Sequence, residues 1–332
     1  MTEFRRVLVT GGAGYIGSVV VDQLLERGLH VVVLDDLSRG HRDAVARRAA
    51  FVQGGVGNRE LLTALLERER IEAIVHLAAY ALVAESVAQP GMYVTNNVTA
   101  GRVLLEAAAA AGVRRFVFSS SCAVYGHPAT VPITEDTPQA PVNPYGETKR
   151  DFERLLAELA PRAGLEVVSL RYFNASGATK ARGEDHDPET HLIPNVLAAA
   201  LGARPAVEVF GTDYPTPDGS AVRDYVHVTD IADAHVRALD VSVTRGTPIA
   251  VNLGTGSGQS VRQVIDAARR VTGKTIPVRE QPRRPGDPPV LVAAVRRAAE
   301  VLDWRASHSD LEGILDSAWR WHRAHPQGYR GG

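Results

Sequence analysis

Six short apolar runs, at 6–10, 30–35, 50–53, 73–77, 115–119 and 165–171, alternate with amphipathic stretches such as 17–27, 59–69 and 91–111. Runs of four to seven residues are too short for helices, and the stretches between them repeat with the helical period. Such alternation predicts a parallel sheet with helices on both faces. Right-handed crossovers then make the fold class α/β, a doubly wound parallel sheet of the Rossmann type. After about residue 178 the texture changes. Proline and glycine punctuate short elements, as in GTDYPTPDG at 211–219 and QPRRPGDPP at 281–289, among helical patterns at 191–201, 228–240, 260–272 and 296–302. The expected division is a dinucleotide-binding domain at 1–177 and a smaller mixed region at 178–332 that closes over a ligand, some of its chain returning to the first sheet.

Bulk properties narrow the partners. Among 332 residues, 37 basic and 38 acidic side chains nearly cancel. No global field is available to hold nucleic acid or an acidic membrane surface, so any phosphate must be bound by local sites. One cysteine, Cys122, excludes an intrachain disulfide and a cysteine-based zinc site. The opening residues run straight into an apolar strand, and no stretch approaches the ~18 apolar residues of a membrane span. These features lead us to expect a soluble, cytoplasmic protein.

The first strand runs into Gly11-Gly12-Ala13-Gly14-Tyr15-Ile16-Gly17, followed by a helical pattern. Gly11, Gly14 and Gly17 permit a tight turn and close approach of backbone to a pyrophosphate, which the helix N-terminus attracts. The second strand ends in Asp35-Asp36. A carboxylate there accepts from ribose hydroxyls and repels a 2′-phosphate, so NAD is expected rather than NADP.

Further along, NPYGETK at 143–149 reads as a helix start, with Asn143 as cap and Pro144 in the first turn. Tyr145 and Lys149 then share a helix face. An ammonium beside a phenol favours the phenolate, which makes Tyr145 a general-base candidate. Only three lysines stand among 34 arginines, a bias under which a remaining lysine draws notice. The fifth strand ends in SSSCAVYG at 119–126, where the sheet rule places ligands.

At this point the chain resembles the UDP-glucose (UDP-galactose) 4-epimerase family of extended short-chain dehydrogenases, nearly end to end. The resemblance is carried by TGGAGYIGS at 10–18, AESV at 84–87, NNV at 96–98, SSSCAVYG at 119–126, NPYGETK at 143–149 and LRYFN at 170–174. It continues in DPETHLIP at 187–194, DYPTPDG at 213–219, VRDYVHV at 222–228, NLGTG at 252–256, RRPGDP at 283–288 and HPQGY at 325–329. It implies Ser121, Tyr145 and Lys149 as the catalytic trio, with Tyr15, Ile16, Asn96 and Tyr172 joining the glycines and aspartates around NAD. It implies Asn174, Arg223, Arg284 and Asp287 as contacts to the UDP part, with Phe210 beside the uracil and His191 and Leu192 also at the nucleotide. The implied reaction oxidises C4 of the sugar transiently to a ketone and reduces it again on the other face. A homodimer through helices at 91–111 and 143–160 is equally an implication, although those apolar faces could instead be buried within one subunit.

Two positions depart from the family pattern: Gly55 stands where members usually carry an acid reaching the adenine, and Ala81 where many carry Lys or Gln. Weaker NAD retention is expected. Leu291 occupies the place whose size limits the sugar pocket, so some turnover of UDP-N-acetylhexosamines is expected. The segment GEDHDPETH at 183–191 mimics a metal site, but its histidines are five apart and a proline breaks any helix; no metal is expected. Cys122 is read as a buried strand-end hydrophobe, and His76 as a packed or locally paired residue. Competing readings are another UDP-sugar enzyme of this fold (a pentose epimerase, dehydratase or decarboxylase) or a non-catalytic NAD sensor. Cys122-Ala123 lacks the Asp-Glu pair a dehydratase would place there.

Overall fold

A computed structural model describes residues 4–284 and 286–331. The central sheet has seven parallel strands: β1 (Arg6–Thr10), β2 (His30–Asp35), β3 (Ala50–Gln53), β4 (Ala73–His76), β5 (Arg115–Ser121), β6 (Glu166–Tyr172) and a seventh at Ile249–Leu253. Their spatial order is seventh-β6-β5-β4-β1-β2-β3. β1 is flanked by β2 on one side and β4 on the other. The strand order reverses there, opening a crevice at the carboxyl ends of these strands.

The period-two alternation decides which helix covers which face. Val7, Val9, Val31, Val33 and Val75 point into one core, with helix α1 (Tyr15–Glu26) and the Val228–Arg237 helix. Leu8, Val32, Leu34, Ile74 and Phe116 point into the other, beneath helix α2 (Arg59–Glu69) and the Gly101–Ala110 and Pro144–Ala163 helices. Each fully buried aliphatic side chain contributes about 1.5–3 kcal/mol, and both faces are continuous, so the sheet is pinned from both sides. A third core joins the Leu192–Ala200, Val261–Thr272 and Leu311–Ala324 helices through Ile193, Val196, Ile265 and Ile314. Short paired strands at Val207–Phe210 and Val278–Gln281 lie over it.

Three local expectations are corrected. The 91–111 stretch is not one helix: Pro90–Tyr93 leads into a wide π turn at Val94–Ala100 before the α-helix Gly101–Ala110. In the π turn, Asn97 is buried and grips the backbone of Tyr80 from both sides, with N–H donation to Asn97 Oδ1 at 2.9 Å and Asn97 Nδ2 donation to Tyr80 O at 3.0 Å. β5 runs two residues beyond its expected end, to Ser121, because β6 also runs on to pair Tyr172 with it. The Leu311–Ala324 helix was not anticipated at all; its apolar face carries Ile314, Leu315, Ala318 and Trp319. Among the described residues no helix is long and apolar enough to cross a membrane.

Candidate active site

The joint between β1 and α1 is built of glycine out of steric necessity. Gly11 has φ +72°, and a Cβ on it would lie 2.6 Å from the backbone nitrogen of Ala78. A Cβ on Gly17 would lie 2.1 Å from the carbonyl oxygen of Gly11. Gly14 is roomier and caps α1 with no side-chain hydrogen bond among the described residues. The first-turn N–H groups of Tyr15, Ile16 and Gly17 therefore face the crevice with the positive end of the helix. Asp35 ends β2, and its carboxylate accepts from the backbone of Ala13 at 3.0 Å and of Leu37 at 2.9 Å. Burial pushes this carboxyl above its ordinary range, and those two N–H groups pull it back. Asp36 is exposed and accepts from the Ser38 backbone at 2.9 Å. A glycine cradle closed to a Cβ at Gly11 and Gly17, a free helix N-terminus and paired carboxylates at the next strand end fit a dinucleotide with an unmodified ribose.

All the site residues named from the sequence, except Lys149, line one cleft of about 1560 Å³. Gly55 and Ala81 line it too. At Gly55 a Cβ would meet only Asp36 Oδ2, at 4.0 Å, so the wall is open where the family pattern has an acid.

The Pro144–Ala163 helix starts as its sequence prescribes. Asn143 Oδ1 accepts from Gly146 N at 2.9 Å, and Pro144 occupies the first turn. This puts Tyr145 against the end of β5, within reach of Ser121. The expected effect of Lys149 on the phenol needs correction. Burial pushes Tyr145 up to about 12, and the Ser121 contact offsets only part of that. Lys149 Nζ sits 5.8 Å from the Tyr145 ring centre and donates to the backbone carbonyl of Ser119 at 2.7 Å. Burial pushes the ammonium down to about 7, against the attraction of Glu153. As folded, then, Tyr145 is a neutral phenol beside a readily deprotonated lysine. Lys149 stands behind the cleft rather than in its wall.

Asn174, Leu192, Phe210 and Leu291 face the far half of the cleft. The Arg284 guanidinium lies 3.9 Å over the Phe210 ring, and Arg223 is paired with Asp287. One guanidinium from the short strand Val222–Arg223 and another from a loop, the latter over an aromatic ring, thus line the same cleft, an arrangement suited to a diphosphate joined to a flat base.

The 183–191 segment is a second correction. Its loop brings Glu184, His186, Glu189 and His191 together with ligand atoms within 4.8 Å of one another, which spacing along a helix did not anticipate. His191 Nδ1 lies 2.8 Å from Glu184 and 2.9 Å from Glu189. Burial alone would push both histidines down, but the two carboxylates raise His186 to about 9 and His191 to about 10. Two imidazolium ions and two carboxylates balance, and a metal would have to displace both protons.

Sequence reasoning passed over several polar residues that hold the site. Asn97 Nδ2 also donates to Thr148 Oγ1 at 3.1 Å, so the π turn ties the Tyr80 loop to the Pro144–Ala163 helix. Glu153 takes Ser120 Oγ and the Arg171 guanidinium. Ser119 Oγ meets His235 Nε2 at 2.6 Å. The NNV string was a usable signal for Asn97. Nothing local marks the others. His76 pairs with Thr10 Oγ1 at 2.7 Å, and burial pushes the Cys122 thiol up to about 12, so both behave as the sequence suggested.

The model of the NAD dependent epimerase/dehydratase family matches residues 7–254. The chain belongs to the NAD-dependent epimerase/dehydratase family. Within that family it is similar to a protein of Streptococcus mutans serotype c named UDP-glucose 4-epimerase, 49% identical over 329 residues, covering 97% of this chain and 98% of that protein. Among solved structures it resembles UDP-glucose 4-epimerase from Brucella ovis in complex with NAD, at 46% identity and a TM-score of 0.91, over 95% of this chain and 98% of that one. It also resembles the UDP-Glc/GlcNAc 4-epimerase of Campylobacter jejuni, at 37% identity and a TM-score of 0.83, over 96% and 99%.

Proposed function

We propose that this family member is an NAD-dependent UDP-glucose 4-epimerase, interconverting UDP-glucose and UDP-galactose. The observation that carries the reading is Tyr145 held against Ser121 in a cleft whose other end offers Arg223, Arg284 and Phe210. Tyr145 takes the proton from the sugar 4-hydroxyl, and Ser121 orients that oxygen. Held by the Gly11–Gly17 joint and Asp35, oxidised NAD would supply a reversible hydride acceptor for C4 and a cationic ring that would favour the phenolate. Between the two transfers the ketose turns while Arg223, Arg284 and Asn174 keep the UDP group fixed. Tyr145 then gives the proton back, so no net oxidation occurs. Binding energy is concentrated away from the hexose because a tightly gripped sugar could not turn. An NMR spectrum of the product from UDP-galactose tests this: UDP-glucose is expected, and a 4-keto-6-deoxy sugar or unchanged substrate would overturn it.

Leu291 is 9% exposed in the cleft wall, and its modest size leaves room for an N-acetyl group. Turnover of UDP-GlcNAc is expected beside that of UDP-galactose; total inactivity on UDP-GlcNAc would contradict this. Gly55 offers the adenine, and Ala81 the nearby cofactor, no polar side-chain partner, each lost hydrogen bond being worth about 1 kcal/mol. Purified protein should therefore lose NAD on dilution and gel filtration, and a stoichiometric complement after both steps would refute it. We assign residues 1–177 to the cofactor and 178–332 chiefly to the UDP-sugar. The setting we propose is cytoplasmic, in keeping with a single, buried cysteine. The assembly is a homodimer, supported by Val87 and Val94, 62% and 48% exposed, beside the catalytic helix.

A further inference from the structure

Lys149 Nζ is tethered to a backbone carbonyl, that of Ser119, so whatever fixes the Ser119 residue fixes the ammonium. The Ser119 side chain turns away from the cleft toward His235, a fully buried residue of the Val228–Arg237 helix. The direction of each hydrogen bond follows from the partners. His235 Nδ1 lies 2.8 Å from the carbonyl oxygen of Ile231, which can only accept. Nδ1 therefore carries the proton and Nε2 is an acceptor. The Ser119 hydroxyl then donates to Nε2 across 2.6 Å. Burial pushes His235 down to about 4, the Ile231 carbonyl opposing and Lys149 adding to the shift, so the ring is neutral throughout the working range. It serves as a fixed acceptor in a region where an unpartnered hydroxyl is costly.

The groups facing Lys149 come from four elements. Tyr145 and Glu153 lie on its own helix, His76 is at the end of β4, Ser119 is on β5, and His235 approaches from the helix on the far side of the sheet. Of these, only the Ser119 carbonyl contacts Nζ at hydrogen-bond length. Tyr172, in the wall of the cleft, lies 6.2 Å from the His235 ring.

We propose that His235 is a positioning residue for the epimerisation: by holding the Ser119 hydroxyl it fixes the carbonyl that tethers Lys149 behind Tyr145. The inference rests on the epimerase reading. It differs from the family's trio because His235 touches neither substrate nor reacting atoms, and acts across the sheet through one serine.

The test is the pH–rate profile of UDP-galactose epimerisation with saturating NAD for wild type, Ser119→Ala, His235→Phe, His235→Gln and the Ser119→Ala/His235→Phe double variant. Wild-type inactivity would sink the epimerase reading itself and so is distinguishable from failure of this one. With wild type active, Ser119→Ala and His235→Phe should each lower kcat about tenfold with KM unchanged. Each should also move the alkaline limb to lower pH, because a loosened tether stabilises the ammonium less. The double variant should be no worse than either single one, and His235→Gln, whose amide can still accept from the serine, should recover most of the rate. Single variants with wild-type kcat and profile, or losses that multiply in the double variant, would overturn the proposal. If His235→Phe does not fold, Ser119→Ala carries the same comparison, since it removes the hydroxyl and leaves the carbonyl in place.

Discussion

Tyr145→Phe should abolish nearly all turnover of UDP-galactose, a fall of about 10³-fold within the range usual for loss of a positioned acid–base group. The fold should hardly notice. The ring is 7% exposed and sits against the end of β5, where Phe keeps every ring contact. The hydroxyl lost reaches Ser121, and a hydrogen bond there would contribute only about 1 kcal/mol. The discriminating measurement pairs kcat at saturating NAD with a thermal melt and an NAD titration of the variant beside wild type. Retention of more than a tenth of wild-type kcat would mean that some other group takes the 4-hydroxyl proton, and the assignment of Tyr145 would fall. A change in kcat accompanied by loss of NAD would instead mark the tyrosine as part of the cofactor's binding surface only.

Gly17→Ala should cost at least about a hundredfold in NAD affinity, which corresponds to roughly 2.7 kcal/mol. The added methyl would lie 2.1 Å from the carbonyl oxygen of Gly11 and 2.9 Å from the α-carbon of Gly12. Both obstacles are backbone, and Gly11 is itself wedged against Ala78, so the turn that presents the helix N-terminus must open. Overpacking of this kind costs ~1–3 kcal/mol of stability as well. Gly91→Ala is the internal control, since Gly91 lies outside the cleft and its methyl would meet nothing within 4 Å; it should bind NAD as wild type does. Calorimetric titration of both variants decides the point. Equal affinities for Gly17→Ala and wild type would show that the glycine joint is not what seats the cofactor.

The two predictions draw on different depths of reading. The clash at Gly17 was foreshadowed by spacing alone, because strand, three glycines and helix follow each other within a dozen residues and all the geometry is local. The neutrality of Tyr145 was not. The i and i+4 spacing with Lys149 suggested a phenolate, yet desolvation of a phenol by a packed cleft outweighs an ammonium whose nearest partner is a carbonyl thirty positions back. The π turn at Val94–Ala100 was missed for a similar reason: its apolar pattern reads as helix, and only the grip of Asn97 on Tyr80 shows why the wider turn is held. At 183–191 the residue types were noticed and their meeting was not, since a loop brings together what no regular period could.

What the chain determined by itself is everything set by near neighbours: strands that alternate between two cores, a glycine joint that admits no Cβ at Gly11 or Gly17, and a tyrosine in the first turn of a capped helix. Tertiary structure alone decided which carbonyl Lys149 chooses, that His235 reaches Ser119 from across the sheet, and that Arg223 and Arg284 converge on one cleft. The division is physical. Local geometry follows from backbone sterics and periodicity over a few residues, whereas the protonation and orientation of a buried group depend on solvent exclusion and on partners that only long-range packing supplies.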